Sequence, residues 1–252
     1  MQDLVTAPTG DTSPADPLLR IAGVSKRFGG IVAVDDISID VARHRVTGLI
    51  GPNGAGKTTL FDLISGVSSP NSGEVLFEGR PIQGMQSHAV ARLGIGRTFQ
   101  SVRVFNEMTV RENLEVADRN GKHRGSQGFA DRMGGALAFV NMTPHQGALA
   151  GRLSYGQRKL IEIAMVLIQD PKLIMLDEPV AGVNPKLIEQ IGELLTELVR
   201  QRRTLLLVEH NIPFVTSLCD HIIVMANGKL LAQGDGEQVQ RDPRVLEAFL
   251  GT

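Results

Sequence analysis

The chain has 252 residues, 42% of them hydrophobic and 21% charged, with a formal net charge of -1. That is ample apolar material for one α/β domain with a modest appendage, and with no Lys/Arg-rich run it gives no electrostatic reason to expect nucleic acid as a partner. The lone cysteine, Cys219, cannot form an internal disulfide and falls in a segment that reads as buried helix, which points to a reducing compartment.

Residues 1–17 (MQDLVTAPTGDTSPADP) are rich in Pro, Thr, Asp and Ala and have no hydrophobic period, so a mobile tail is expected there. The first nineteen residues hold no Lys or Arg and no continuous apolar region, and no secretory signal is expected. From Leu18 the pattern turns strand-like: LLRIAGVSKRF, ISIDV and SGEVLFEG carry alternating apolar positions. They predict an antiparallel β-layer over about 18–45 and 73–84.

VTGLIG (46–51), KLIMLDE (172–178) and TLLLVEH (204–210) are short continuous apolar runs, the pattern of parallel strands buried on both faces. All are far too short to cross a bilayer. Helical patterns, TTLFDLISG and LIEQIGELLTELVRQ, stand between them, and this alternation predicts a mostly parallel sheet with helices on both sides. The stretch 106–152 has helical segments broken by glycine-containing runs such as NGKHRGSQG (120–128), which suggests an inserted helical subdomain. HIIVMANGKLLAQG reads as a hairpin about Asn227-Gly228, and DPRVLEAFL as a closing helix.

The strongest chemical signal is Gly51-Pro52-Asn53-Gly54-Ala55-Gly56-Lys57-Thr58-Thr59, which follows an apolar strand and precedes a helix. That is the setting of a phosphate-binding loop: glycines let backbone N–H groups turn inward, and the helix aims its positive end at the same point. Lys57 is expected to neutralise β- and γ-phosphate charge, and Thr58 to offer its hydroxyl to Mg²⁺. In LIMLDEP (173–179) a buried strand delivers Asp177 to the rim of the sheet as the expected Mg²⁺ contact. Glu178, one residue on, is placed to orient or deprotonate an attacking water. LSYGQ (153–157) opens an apolar helix with Ser154 as the N-cap candidate, a second helix terminus able to receive an anion. One phosphate loop and two such termini are used together if two copies face each other.

LSYGQ just before LIMLDEP and downstream of GPNGAGKTT resembles the signature motif of ATP-binding-cassette (ABC) proteins, and the resemblance covers about Leu18 to Gly251. It implies the ABC ATPase fold: a P-loop NTPase sheet flanked by helices, an antiparallel β-subdomain, and a helical subdomain at about 101–168 within a domain spanning 18–252. It also implies ATP and Mg²⁺ as cofactors. Phe28 in KRFGG is similar to the aromatic residue that stacks on adenine, Gln100 in RTFQ to the glutamine-loop residue and Mg²⁺ neighbour, and His210 in LLLVEH to the switch histidine. Carried over residue by residue, the nucleotide-binding set is Phe28, Asn53, Gly54, Ala55, Gly56, Lys57, Thr58, Thr59, Ser154, Gly156 and Gln157. The catalytic set is Glu178, His210, Lys57 and Gln100, and the metal set is Thr58, Gln100 and Asp177.

GIGRTFQSVRVFNEMTVRENL, DEPVAGVNP and VLEAFLG are closest to the ATPase subunits of bacterial branched-chain amino acid importers. Importers of urea or short amides and, more distantly, lipopolysaccharide-export ATPases share these features. The resemblance implies a second ABC ATPase subunit, identical or related, integral membrane permease subunits and, indirectly, a substrate-binding protein, at the cytoplasmic face of the inner or plasma membrane. Val102, Val104, Phe105, Met108 and Val110 are candidates to receive a short helix of a membrane subunit. Two departures from the family stand out: Asn184 replaces a common aspartate, and 114–150 is short for an importer ATPase. A soluble cassette ATPase acting on DNA or ribosomes remains the alternative from another class, although no sustained heptads separate the phosphate loop from LSYGQ.

Overall fold

The computed structural model describes residues 16–118 and 127–250. The expected tail, apart from Asp16 and Pro17, and most of the glycine-containing run at 120–128 lie outside the described residues.

Alternating apolar residues build β1 (Leu19–Phe28) and β2 (Ile31–Val41), which pair antiparallel around the Gly29-Gly30 turn. The chain then enters β3 (Val46–Ile50), all of whose residues are buried, and turns through the glycine-rich loop into α1 (Lys57–Ile64). Leu60, Phe61, Leu63 and Ile64 on α1 are inaccessible to solvent or nearly so, each worth about 1.5–3 kcal/mol of apolar burial. β4 (Ser72–Phe77) and β5 (Arg80–Pro81) complete the antiparallel sheet in the order β2-β1-β4-β5.

A short α2 (Ser87–Arg92) leads to β6 (Ile95–Arg97), and then come α3 (Val110–Ala117), α4 (Gln127–Phe139) and α5 (Tyr155–Leu167). Thr109 and Glu112 form a capping box that starts α3. β7 (Leu173–Asp177), α6 (Pro185–Arg200), β8 (Thr204–Val208) and α7 (Ile212–Leu218) follow. The hairpin of β9 (His221–Ala226) and β10 (Lys229–Gly234) turns at Asn227 (φ 51°) and Gly228 (φ 78°), both in the left-handed region that a two-residue turn requires. α8 (Gly236–Arg241) and α9 (Pro243–Leu250) close the chain.

The larger sheet has the order β10-β9-β3-β8-β7-β6 and is parallel except for the β9–β10 pair. Its side chains alternate between two cores. Ile50, Ile174, Leu176, Leu205, Leu207 and Ile222 face the layer containing α3–α7, while Leu49, Met175, Leu206, Val208 and Ile223 face α1 and the antiparallel sheet. Burial on both faces explains why these strands read as unbroken apolar runs. Because β3, β8, β7 and β6 are consecutive neighbours and parallel, the loops after them open side by side along one edge. Cys219 lies just past the end of α7, partly buried, rather than inside a buried helix, and burial pushes its thiol up to about 12.

Candidate functional site

The loop between β3 and α1 is shaped by close backbone approach. Gly51 and Gly56 have φ of 151° and 97°, and a Cβ there would stand 2.1 Å from the Met225 carbonyl oxygen and 2.2 Å from that of Ala33, respectively. Only glycine fits both positions. The turn of the distant β9–β10 hairpin braces the loop: Gly228 N–H donates to the Ala55 carbonyl at 3.1 Å, and Asp35 N–H donates to the Gly228 carbonyl at 2.8 Å. Asn53, Gly54 and Thr58 are exposed at the mouth of the loop, and Thr59 is half-buried in the first turn of α1. Lys57 is buried, and its ammonium donates to the carbonyls of Gly51 (2.7 Å) and Pro52 (3.0 Å). Burial lowers its pKa, with Glu178 and Asp177 opposing that shift. A lysine held inward by two loop carbonyls is already placed where a triphosphate would lie against the loop.

On the next strands the carboxylates meet their partners. Asp177, the last residue of β7, is buried, and this raises its pKa; Arg97, whose Nη2 lies 3.4 Å from Asp177 Oδ2, opposes the shift. Arg97 Nη1 also donates to Asp62 Oδ1 (2.7 Å) and Ser65 Oγ (2.8 Å), and its guanidinium lies near the Phe61 and Phe99 rings, 5.6 and 5.1 Å from their centroids. Glu178 takes a left-handed φ of 50°, and its N–H donates to the Val208 carbonyl at 2.9 Å. Gln100 Nε2 donates to Glu178 Oε2 at 3.3 Å, and His210 Nδ1 stands 3.7 Å from Glu178 Oε1. Three strand ends thus converge on one carboxylate. Glu209, completely buried, accepts N–H bonds from Val180 (2.9 Å), His210 (3.1 Å) and Asn211 (3.4 Å), tying the loops after β7 and β8 together.

Ser154 caps α5 in a reciprocal box: Gln157 N–H donates to Ser154 Oγ at 3.2 Å, and Ser154 N–H donates to Gln157 Oε1 at 2.9 Å. The Gln157 amide also lies 3.3 Å from His145 Nε2. Both side chains therefore organise the helix tip, and the serine hydroxyl keeps a hydrogen of its own to donate outward. Gly156 lets α6 come close, since a Cβ there would stand 2.3 Å from Leu187 Cδ2. Further along α5, buried Lys159 donates to the Glu178 carbonyl. Buried Glu162 accepts the N–H groups of Phe99 (3.2 Å) and Arg103 (3.3 Å) on one oxygen.

Lys57, Asp177, Glu178, Gln100 and His210 are brought to one edge of the sheet, and Ser154, Gly156 and Gln157 lie at the start of α5. Phe28 is 53% exposed at the tip of the β1–β2 hairpin, and Lys26 Nζ lies over its ring, 5.1 Å from the centroid. Of the apolar residues expected to receive a membrane helix, Val102 and Val104 line a groove with Gln100, Ser101, Tyr155 and Arg158. Phe105 is exposed beside that groove, Met108 is half-buried, and Val110 is corrected to the interior, being fully buried in the helical core. Asn184 caps α6, its amide oxygen accepting the Leu187 N–H at 3.0 Å, a task that needs an acceptor and no charge.

Sequence reading passed over Arg97, Lys159, Glu162 and Glu209. Their signal was present: each is a charged residue within or against an apolar run destined for burial, and such charges persist only with partners.

Hydroxyl and carboxylate oxygens at Thr58 and Asp177, set beside a phosphate loop, form a donor set that suits Mg²⁺. Among the described residues there is no cluster of three or more His, Cys, Asp or Glu that would hold a metal without phosphate oxygens.

The ABC transporter family model matches residues 34–181, and the model for the branched-chain amino acid ATP-binding cassette transporter matches 229–252. The high-affinity branched-chain amino acid transport ATP-binding protein BraF of Pseudomonas aeruginosa is 39% identical over 250 residues, covering 93% of this chain and 98% of its own. LivG of Escherichia coli, a protein of the same description, is 38% identical over 252 residues, covering 94% and 99%. Among solved structures, the ADP conformation of MJ1267, an ATP-binding cassette of an ABC transporter, superposes with a TM-score of 0.86 at 34% identity, covering 94% of this chain and all of that one. A nucleotide-free cassette from an ABC transporter gives a TM-score of 0.85 at 35% identity, covering 93% and 99%. The chain belongs to the ABC transporter family, in the group of branched-chain amino acid transport ATP-binding proteins.

Proposed function

We propose that this chain is the ATP-hydrolysing subunit that energises an importer of branched-chain amino acids, docked on the cytoplasmic face of the membrane. The observation that carries the reading is the convergence of Gln100 and His210 on the Glu178 carboxylate, on the sheet edge where the phosphate loop also opens. Among the described residues no helix is long and apolar enough to cross a membrane; in this reading the cargo passes through separate permease subunits. A urea or short-amide importer is the second reading; the descriptions of BraF and LivG favour branched-chain amino acids.

In this reading Phe28 stacks on adenine, and Asn53, Gly54, Ala55, Gly56, Thr58 and Thr59 wrap the phosphates with Lys57 at the β- and γ-positions. Bound Mg²⁺, held by Thr58 and Asp177 with Gln100 nearby, supplies charge neutralisation on the phosphate oxygens. Glu178 accepts a proton from the attacking water, with Gln100 and His210 fixing its carboxylate. Electrostatic stabilisation by preorganised donors, Lys57 first among them, carries much of the rate. Ser154, Gly156 and Gln157 of a second ATPase subunit, identical or related, complete the site across a dimer. Loss of the γ-phosphate removes the bridge between the two and reopens them. The helical subdomain is read as about 101–168 within a domain of 18–252, with Val102 and Val104 receiving the permease.

The test is reconstitution. The chain is assembled in vesicles with the permease subunits, partner ATPase and binding protein of its own transporter, and uptake of labelled leucine is followed. ATP-dependent uptake that vanishes in Glu178→Gln is expected. Uptake of urea or acetamide but not leucine would replace the cargo, and ATP turnover with no response to membrane partners would remove the transport role.

A further inference from the structure

The segment carrying Gln100 has no regular structure of its own: after β6 ends at Arg97, the chain runs through 98–109 before α3 begins. A loop of that kind drifts unless something distant fixes it. Two of its N–H groups, those of Phe99 and Arg103, point at the same oxygen of Glu162 on α5. They bracket Gln100, Ser101 and Val102. Three residues earlier on α5, on the same buried side, Lys159 holds the carbonyl of Glu178. One helix thereby grips both the loop that supplies Gln100 and the turn that supplies the carboxylate Gln100 touches.

We propose that Glu162 is a positioning residue for the glutamine loop, a carboxylate clamp that locks the 99–103 segment to the helix beginning at Ser154. A displacement of that helix, whether driven at its tip or by a permease in the neighbouring groove, is then transmitted to Gln100 without slack. The groove lined by Gln100, Ser101, Val102, Val104, Tyr155 and Arg158 has one wall on each of the two clamped pieces, so what docks there presses on both. Burial shifts the Glu162 carboxyl upward, to about 7, and the Phe99 and Arg103 N–H bonds are what chiefly oppose that shift. An acid so placed needs those bonds as much as the loop does.

The tether matters for turnover only if Gln100 acts as proposed above, and the experiment separates the two. In the assembled transporter, amide exchange is measured residue by residue across 98–104. In the unaltered protein the Phe99 and Arg103 amides should exchange more slowly than those of Ser101 and Val102 between them; equal rates overturn the clamp with no mutation needed. Glu162→Leu should speed exchange at Phe99 and Arg103 by about tenfold or more, with the β7 amides unchanged. It should also lower kcat for ATP about tenfold, with KM for ATP within about twofold. Glu162→Gln, which keeps an acceptor of the same reach, should recover most of both. Unaltered exchange in a folded Leu variant, faster exchange with full kcat where Gln100→Ala is impaired, or a Gln variant as impaired as Leu each overturns the proposal. Gln100→Ala run alongside identifies the other failure: full turnover there removes the role of Gln100, while the exchange data still report the clamp.

Discussion

The ammonium of Lys159 donates to the backbone carbonyl of Glu178, a non-glycine residue held in a left-handed conformation, φ 50°. For a glutamate such a φ is uncommon and is kept only where the surroundings over-determine it. Here the Val208 carbonyl takes its N–H and Lys159 takes its carbonyl, fixing the peptide at both ends. Lys159→Met should therefore cost about 1.5–3 kcal/mol, the range for a hydrogen bond to a charged group. It should slow hydrolysis about tenfold as the Glu178 turn relaxes, with ATP affinity little changed. Urea unfolding and phosphate release measure the two effects separately.

Replacing the carboxylate itself isolates chemistry from binding. Glu178→Gln keeps the shape and the contact with Gln100 but cannot take a proton. Hydrolysis should fall by about 10²-fold or more while nucleotide binding persists, as expected for loss of a positioned base. Single-turnover phosphate release beside a binding titration checks it, and wild-type turnover would sink the role assigned to Glu178.

At the phosphate loop the ordering reverses, because binding should fail first. Lys57→Ala removes the ammonium that Gly51 and Pro52 hold inward. Affinity for ATP should fall at least about tenfold, the equivalent of one charged hydrogen bond. Calorimetric titration is the measurement, and unchanged affinity would count against the phosphate-loop assignment.

Gly156 stands where α6 comes close to α5. In Gly156→Ala the new methyl meets Leu187 Cδ2, the movable end of a half-buried side chain, so the cost should lie at or below the low end of overpacking, about 1 kcal/mol. Leu187→Ala, which makes room, should return much of that loss in the double variant. A thermal-unfolding cycle gives the coupling between the two sites, and strict additivity would mean that α5 and α6 are farther apart than described.

Glu162 gives stability a pH dependence of known sign. Its folded carboxyl is pushed up from an ordinary value near 4.5 to about 7, chiefly by burial. A folded pKa above the unfolded one means that the native state holds the proton more tightly. The contribution is complete below the unfolded value and is lost as pH rises through the folded one. Relative to non-titrating Glu162→Gln, the wild type should lose stability between about pH 4.5 and about pH 7, by at most about 1.4 kcal/mol per pH unit. Urea unfolding of both proteins across that range checks it; a flat difference would show that the carboxyl is not shifted.

What could be read in the sequence was whatever has a local cause. Five-residue apolar runs announce β3, β7 and β8 because a strand buried on both faces has no polar side to show. The glycine spacing of 51–56 follows from backbone crowding at Met225 and Ala33. Three features stayed hidden. β6, with three residues, is shorter than any periodicity can reveal, and the short helices α2 and α8 carry little amphipathic signal. Val110 looked like surface apolarity, and only the packing of α3 shows it to be core. Lys159, Glu162 and Glu209 bond chiefly to main-chain groups of loops remote in sequence. Their charge inside apolar runs marks them for burial with a partner, but main-chain partners have no side-chain signature, so the sequence does not say which loops they hold.

The brace that Gly228 provides for Ala55 has a consequence for synthesis. The loop is translated well before the hairpin that steadies it, so the elements from β3 to α7 have been made before the nucleotide cradle acquires this support. A contact this long in range is slow to form and closes late. Nascent chains arrested ahead of the hairpin should grip nucleotide loosely, and the grip should tighten once β9 and β10 have been made.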